Sequence, residues 1–242
     1  IQNVPTTGYV WEITDRHIPW LVDGTNNSGT YTFTANSDSL RTYAVSNGIN
    51  YLEPTAVGPV AFQDLHALPQ ADYLIITHPN FVASAERLAN LHRAQGLTVH
   101  VVRTDHIYNE FSSGMHDATA IRTFAKMFYD RGATEPGPQL KYLCLFGDGT
   151  YDPKNRVPNN NNFVLTFQFD QDNNSENHIA MMPSDDYFGI LDDNEAIGAS
   201  DLIDVHVGRM LVSDAQMAKE LVDKVEHYMN NGSSIYSTST TN

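Results

Sequence analysis

The spacing of apolar and polar positions changes character near residue 68. Before it, short stretches rich in β-branched and aromatic residues (9–14, YVWEIT; 30–35, TYTFTA; 40–46, LRTYAVS) are set apart by the turn-forming clusters DGTNNSG and ANSDS. Strands this short, broken by Gly, Asn, Asp and Ser, predict a small antiparallel sheet.

From Ala71 onward the rhythm is strand, helix, strand. The run at 73–77 (YLIIT) reads as a buried strand. Phe81, Ala85, Leu88 and His92 then recur at helical spacing, and Gly96 stops the helix. A second strand covers 99–102. Asp117 stands at the N-cap of a helix whose Ile121, Phe124, Ala125 and Phe128 form one stripe. A third strand covers 142–146 and a fourth 203–207. The last helix opens on Ser213 and Gln216, spaced as a capping box, and runs through Met217, Leu221, Val225 and Tyr228 to Gly232. Strands alternating with helices imply right-handed crossovers, and so an α/β fold with a doubly wound parallel sheet. The expected organisation is a β-rich region at 1–68, an α/β domain at 69–232 and a linker-like tail at 233–242. Between Thr150 and Pro183 lies a polar segment containing NNNN and DQDNNSENH, read as a long functional loop.

Composition narrows the partners. Hydrophobic residues make up 41% and charged residues 18%, a globular balance, while 29 acids against 14 bases leave a net charge of −15. Such a surface repels phosphate backbones and anionic headgroups, which argues against nucleic acid and peripheral membrane binding. It suits calcium, basic peptides or an extracellular setting. The lone cysteine, Cys144, excludes an intrachain disulfide. No apolar run approaches the about 18 residues of a membrane span. The opening IQNVPTTGYVWEI has neither the charged nor the apolar part of a signal peptide, and a start on Ile1 suggests an excised piece.

Candidate chemistry gathers at the end of the third strand, where KYLCLF breaks at Gly147-Asp148-Gly149. Open parallel sheets deliver polar groups to this edge. Asp148 and Asp152 read either as metal ligands or as a turn cap beside a solvated acid. Asp185, Asp186, Asp192, Asp193 and Glu195 cluster within eleven residues, the oxygen chemistry of a hard cation, although not at EF-hand spacing. Gly149 stands where a lipase-like turn carries its serine, which excludes that chemistry. Cys144, between Leu143 and Leu145, reads as core, since a nucleophilic thiolate needs exposure and a nearby cation. His78 lies at the functional edge as a turn residue or a base, whereas His66 and His206 have no evident partner. Arg209 is placed to pair with Asp148 or Asp185.

Taken in order, LHALPQADYLIITHP, AERLANLHRAQGL, VHVV with HIYNEFSSG, D-TAIR-F, KYLCLFGDGTYDP, PSDDYFGILDD, DVHVGRM and the A-x-x-x-V-D-K helix resemble the gingipain family of cysteine peptidases. The likeness runs from Gln63 to Asn231 and lies nearest the PorU branch, the type IX secretion signal peptidases of Bacteroidetes. It implies a caspase-like peptidase of two tandem α/β subdomains, with the catalytic His and Cys both in the second. This chain is then expected to be the non-catalytic N-terminal portion, lacking the dyad and carrying no catalytic residue. The implied partners are the second peptidase subdomain, other type IX secretion components and proteins with C-terminal secretion signals, at the extracellular side of the outer membrane. No cofactor is required, and a structural calcium is implied among the acids Asp148, Asp152, Asp185, Asp186, Asp192 and Asp193.

Two other readings fit the residues alone. One is a stand-alone flavodoxin-like module that binds a peptide or partner at the strand ends. The other is a metal-dependent hydrolase using Asp148, Asp152, Asp185 and Asp186.

Overall fold

The structure is a computed structural model and describes residues 1–36, 38–49, 51–56, 58–154, 156–158, 161–170, 181–195, 197 and 202–231. The chain divides into two compact units, Ile1–Ala61 and Phe62–Asn242. The expected tail at 233–242 lies outside the described residues.

Among its described residues the first unit holds five short strands: β1 (Tyr9–Glu12), β2 (Trp20–Leu21), β3 (Thr25–Asn27), β4 (Thr30–Thr32) and β5 (Tyr43–Ser46). They form an antiparallel sheet ordered β2-β1-β5 and a β3-β4 hairpin. Trp11 faces Leu21 on one side and Ala44 on the other. A small core of Val4, Val10 and Tyr31, with Val22, Phe33 and Tyr43 against it, holds the unit together.

The second unit is a four-stranded parallel sheet between two helical layers. Its elements are β6 (Tyr73–Thr77), α1 (Val82–Ala94), β7 (Val99–Arg103), α2 (Thr104–Phe111), α3 (Ala118–Thr134), β8 (Tyr142–Phe146), β9 (Phe167–Asp170), β10 (Met181–Ser184), β11 (His206–Met210) and α4 (Ala215–Asn231). The strand order is β11-β8-β6-β7, with every neighbouring pair parallel. Alternation along each strand sorts the side chains between the two faces. Leu74, Ile76, Leu143 and Leu145 meet α2 and α3 through Ile107, Ile121, Phe124 and Phe128. Ile75, Val99, Cys144 and Phe146 meet α1 and α4 through Phe81, Ala85, Leu88, Ala218 and Val222. The sheet is doubly wound, as the rhythm of the sequence predicts.

Four details depart from the expectations. The fourth strand begins at His206, not at residue 203. Leu202 and Ile203 form a largely exposed lead-in, while Asp204 and Val205 donate their N–H groups to the Gly189 carbonyl. The last helix is capped by Asp214 in place of Ser213: its Oδ1 accepts the Met217 N–H at 2.8 Å. The 150–183 segment carries β9 and β10, which pair antiparallel. Helix α2 has no sequence signature, since its N-cap is Arg103 with no side-chain cap. The expected cap of α3 is present, Asp117 accepting from Thr119 N at 2.8 Å.

The winding reverses between β6 and β8, because the chain steps from β6 out to β7 and then crosses back over β6 to β8. Ligands of doubly wound sheets bind outside the strand C-termini at such a point. Here Thr77 Oγ1 donates to the Phe146 carbonyl at 3.2 Å, joining the two strand ends.

Candidate functional site

The glycines after β8 allow a close approach. Gly147 has φ +154°, and a Cβ there would lie 2.8 Å from Val164 Cγ2. A Cβ at Gly149 would lie 2.6 Å from the Val164 carbonyl oxygen and 3.2 Å from Arg209 Nη1. Between them, Asp148 accepts the Gly149 N–H at 2.9 Å, and its own carbonyl receives the N–H groups of Phe163 and Val164. The turn thus draws the 163–165 segment down onto the strand ends.

Into this gap reaches Arg209, near the end of β11. Nε and Nη2 donate to the two oxygens of Asp185, each at 2.7 Å. Nη1 donates to the carbonyls of Gly147 (2.9 Å) and Val164 (2.8 Å), and Nη2 also to that of Leu165 (3.1 Å). All five donors are used, the fork geometry only arginine offers. Asp185 also accepts from Thr166 Oγ1 at 3.0 Å.

Of the acids singled out in the sequence, Asp192 and Glu195 come together, while the rest are engaged separately. Asp148 caps its turn and Asp185 holds Arg209. Asp152 is buried rather than solvated: its carboxylate accepts the N–H groups of Val157 (2.7 Å) and Lys154 (3.3 Å) and organises the 150–157 loop. Asp186 is exposed, opening the short helical turn Asp186–Phe188. Asp193 pairs with Lys126 at 3.1 Å. Asp192 accepts from the Tyr129 hydroxyl at 2.8 Å. Among the described residues, the potential ligand atoms lying within 4.8 Å of one another are those of Asp192, Glu195 and Asp204, and of Asp64, His66 and Glu110.

Asp204 is the residue the sequence reading missed in this region. Its Oδ2 accepts the N–H groups of Leu191 (2.7 Å) and Asp192 (3.2 Å), and its Oδ1 lies 3.3 Å from the Tyr129 hydroxyl. A lone acid before a strand carries no signal by itself. The second trio is a clasp, in which Glu110 accepts from Gln63 Nε2, the Leu65 N–H and the His66 ring, tying the entry segment to α2.

Cys144 lies in the core, where burial pushes its thiol up to about 12, against the opposing hydrogen bond from Tyr73 and the charge of Arg209. A thiol held protonated beneath two helices is no nucleophile at neutral pH. His78 lies just past β6, half-buried, and burial holds its pKa below the ordinary value. His206 begins the edge strand β11, stacked on Tyr142 at 5.8 Å. Beside it, Tyr73, Tyr142, Cys144, Gly208 and Val225 line a cleft of about 560 Å³ on the α1–α4 face.

Comparison with known proteins follows this geometry. The model of peptidase family C25 matches residues 66–241. The crystal structure of dimeric latent PorU from Porphyromonas gingivalis superposes with a TM-score of 0.75, at 32% identity over 94% of this chain and 22% of that one. The chain therefore spans about a fifth of that protein's length. A structure described only as a protease aligns at a TM-score of 0.42, with 18% identity over 64% of this chain and 27% of that one. No curated protein matches. With its family model covering well over half its length, and a gingipain-type relative nearly a third identical, this chain belongs to peptidase family C25, the gingipain family.

Proposed function

We propose that this chain is the non-catalytic N-terminal portion of a gingipain-type cysteine endopeptidase that acts as a type IX secretion signal peptidase. The observation that carries the reading is Cys144, the chain's one cysteine, sealed in the sheet core as a thiol. A family that cleaves by thiolate attack needs its nucleophile elsewhere. The chain instead offers a scaffold whose loops after β8 are pinned by Arg209. In the whole enzyme a thiolate attacks the peptide carbonyl, a histidine supplies the leaving-group proton and backbone donors stabilise the oxyanion.

The second peptidase subdomain fits against β11. Of the two sheet edges, β7 is guarded: Arg93 donates twice to the Val99 carbonyl, and Arg103 and His100 sit on the strand. Charged and occupied edges resist pairing. β11 is flanked by exposed apolar side chains, with Leu202 79% and Leu211 63% accessible, and adjoins the Gly208 cleft. The other partners proposed are type IX components and substrates bearing C-terminal secretion signals, met at the extracellular face of the outer membrane. Assay of this chain on fluorogenic peptides, with reductant and calcium, is expected to give no cleavage. Turnover that disappears in Cys144→Ala would overturn the reading.

Structural calcium is proposed at Asp192, Glu195 and Asp204, whose hard carboxylate oxygens suit it and whose mutual repulsion a divalent ion relieves. It would brace the loop before β11. Calcium should raise the thermal midpoint of the wild-type chain relative to chelator and leave that of Asp192→Asn unmoved; equal midpoints in the wild type would remove this part of the proposal.

A further inference from the structure

A second feature at the strand ends is independent of the catalytic question. Above the C-terminus of β6, where the winding reverses, lies a crevice of about 180 Å³ bounded by His78, Thr104, Asp105, Tyr108, His116 and Phe163. We propose that this crevice is a carboxylate-binding site, with His78, Tyr108 and the first turn of α2 donating hydrogen bonds to the carboxylate oxygens.

The donors are set by their other contacts. The Asn80 N–H donates to His78 Nδ1 at 3.2 Å, which places the proton of the neutral ring on Nε2. That N–H meets no acceptor among the described residues. The ring is held edge-on to Phe163, with centroids 5.0 Å apart, and burial keeps it neutral near pH 7. Tyr108 is 4% exposed and lines the crevice, where its hydroxyl has a hydrogen to donate. Burial raises its pKa and keeps that hydrogen in place. Helix α2 starts at Thr104 with no side-chain cap, and Thr104 and Asp105 of its first turn line the crevice.

The carboxylate and amide acceptors in the lining are already used. Both oxygens of Asp105 are held by Arg103, at 3.0 and 2.5 Å, which cancels the charge of the pair. Asn162 Oδ1 receives the Thr150 N–H, and its Nδ2 donates to the Asp152 carbonyl. What remains is a surplus of donors beside apolar Phe163 and Leu165. That combination fits an anionic group with acceptor oxygens on a short apolar stem. The volume falls below the roughly 300 Å³ at which drug-sized pockets begin, so the group is small or terminal. The carboxylate belongs either to a free small acid or to a peptide.

The test is an NMR titration of the histidine ring signals with sodium acetate, against sodium chloride at matched ionic strength. His78 is expected to shift saturably with acetate alone, and Tyr108→Phe to weaken that binding by about tenfold, the loss of one hydrogen bond to a charged group. In His78→Asn, where the shorter side chain can still cap the turn, binding read through His116 should weaken likewise. Acetyl-glycyl-glycine and its C-terminal amide separate the sources. Binding of the acid and not the amide assigns a peptide carboxylate, and binding of acetate alone assigns a free acid. No saturable shift at His78, or the same affinity in both variants, would overturn the proposal.

Discussion

Arg209 and Asp185 meet as two parallel forks, Nε to Oδ2 and Nη2 to Oδ1, each at 2.7 Å, across the C-terminal edge of the sheet. The remaining Arg209 donors hold the carbonyls of Gly147, Val164 and Leu165. The pair therefore fastens β11, the turn after β8 and the 163–165 segment together. Asp185→Asn, and Arg209→Lys, which keeps the charge but not the fork, should each cost roughly 2–4 kcal/mol in urea unfolding. Losses under about 0.5 kcal/mol would mean that the loops are held by other contacts.

The glycines around the sheet edge differ in what they permit. Gly149→Ala puts a methyl 2.6 Å from the Val164 carbonyl, a backbone atom that cannot yield without lifting the segment off Arg209. Overpacking of this kind costs about 1–3 kcal/mol. Gly208→Ala, in β11, meets nothing within 4 Å and should change stability by no more than about 0.5 kcal/mol. Thermal melts of the two variants side by side check this, and equal effects would refute the contrast.

Much of this was legible in the sequence. The strands at 73–77 and 142–146 appear as read, because a strand buried on both faces is an unbroken apolar run. The pairing of Arg209 with Asp185 was one of two options its place after the strand allowed. The fates of the other acids were not legible. Asp152, Asp185 and Asp204 differ only in which donors the fold brings to them, and that depends on contacts 12 to 75 residues apart at Asp204 alone. Helix α2 was missed because it starts straight from a strand without a capping residue, held by Ile107 and Tyr108 in the core. The β9–β10 pair was hidden in a segment whose polar composition reads as loop.

Alkaline pH should expose the burial of Cys144. Its folded-state pKa is raised to about 12 from an ordinary 9, so above pH 9 the unfolded chain loses a proton that the folded chain keeps. Stability is therefore fully present below about pH 9 and falls as pH rises toward 12. Cys144→Ala should flatten that decline, at a cost near neutral pH of about 1–2 kcal/mol for the lost packing. Urea midpoints from pH 8 to 11 test it, and equal slopes in both proteins would contradict the assignment.

The clasp at Glu110 should respond to acid in the opposite sense. Burial opposes its ionisation, but hydrogen bonds from Gln63, the Leu65 N–H and His66, together with the charge of His66, hold its pKa below the usual value of 4.5. The stability it contributes is present above that value and is lost as pH falls through the lower, folded-state one. Glu110→Gln removes the charge and should loosen residues 63–67 from α2 even at pH 7. Hydrogen exchange at the Leu65 amide reads this directly, and unchanged protection would show that the hydrophobic contacts of Leu65 suffice.

The open edge at β11 bears on the proposed enzyme as a whole. If the second subdomain docks there, a charge added on β11 should leave this chain folded and block assembly. Gly208 is suited to the test: a Cβ there meets nothing within 4 Å, its strand pairs with β8 on one side, and the change leaves the Arg209 side chain in place. Gly208→Lys is expected to keep the melting profile of the chain within a few degrees, a change of about 1 kcal/mol. It is also expected to abolish co-purification with the remainder of the protein when the two are expressed together. His100→Lys on β7, the guarded edge, should co-purify as the wild type does. If the β7 variant blocks assembly and the β11 variant does not, the subdomain docks on the opposite side of the sheet, and the cleft beside Gly208 faces solvent in the intact enzyme.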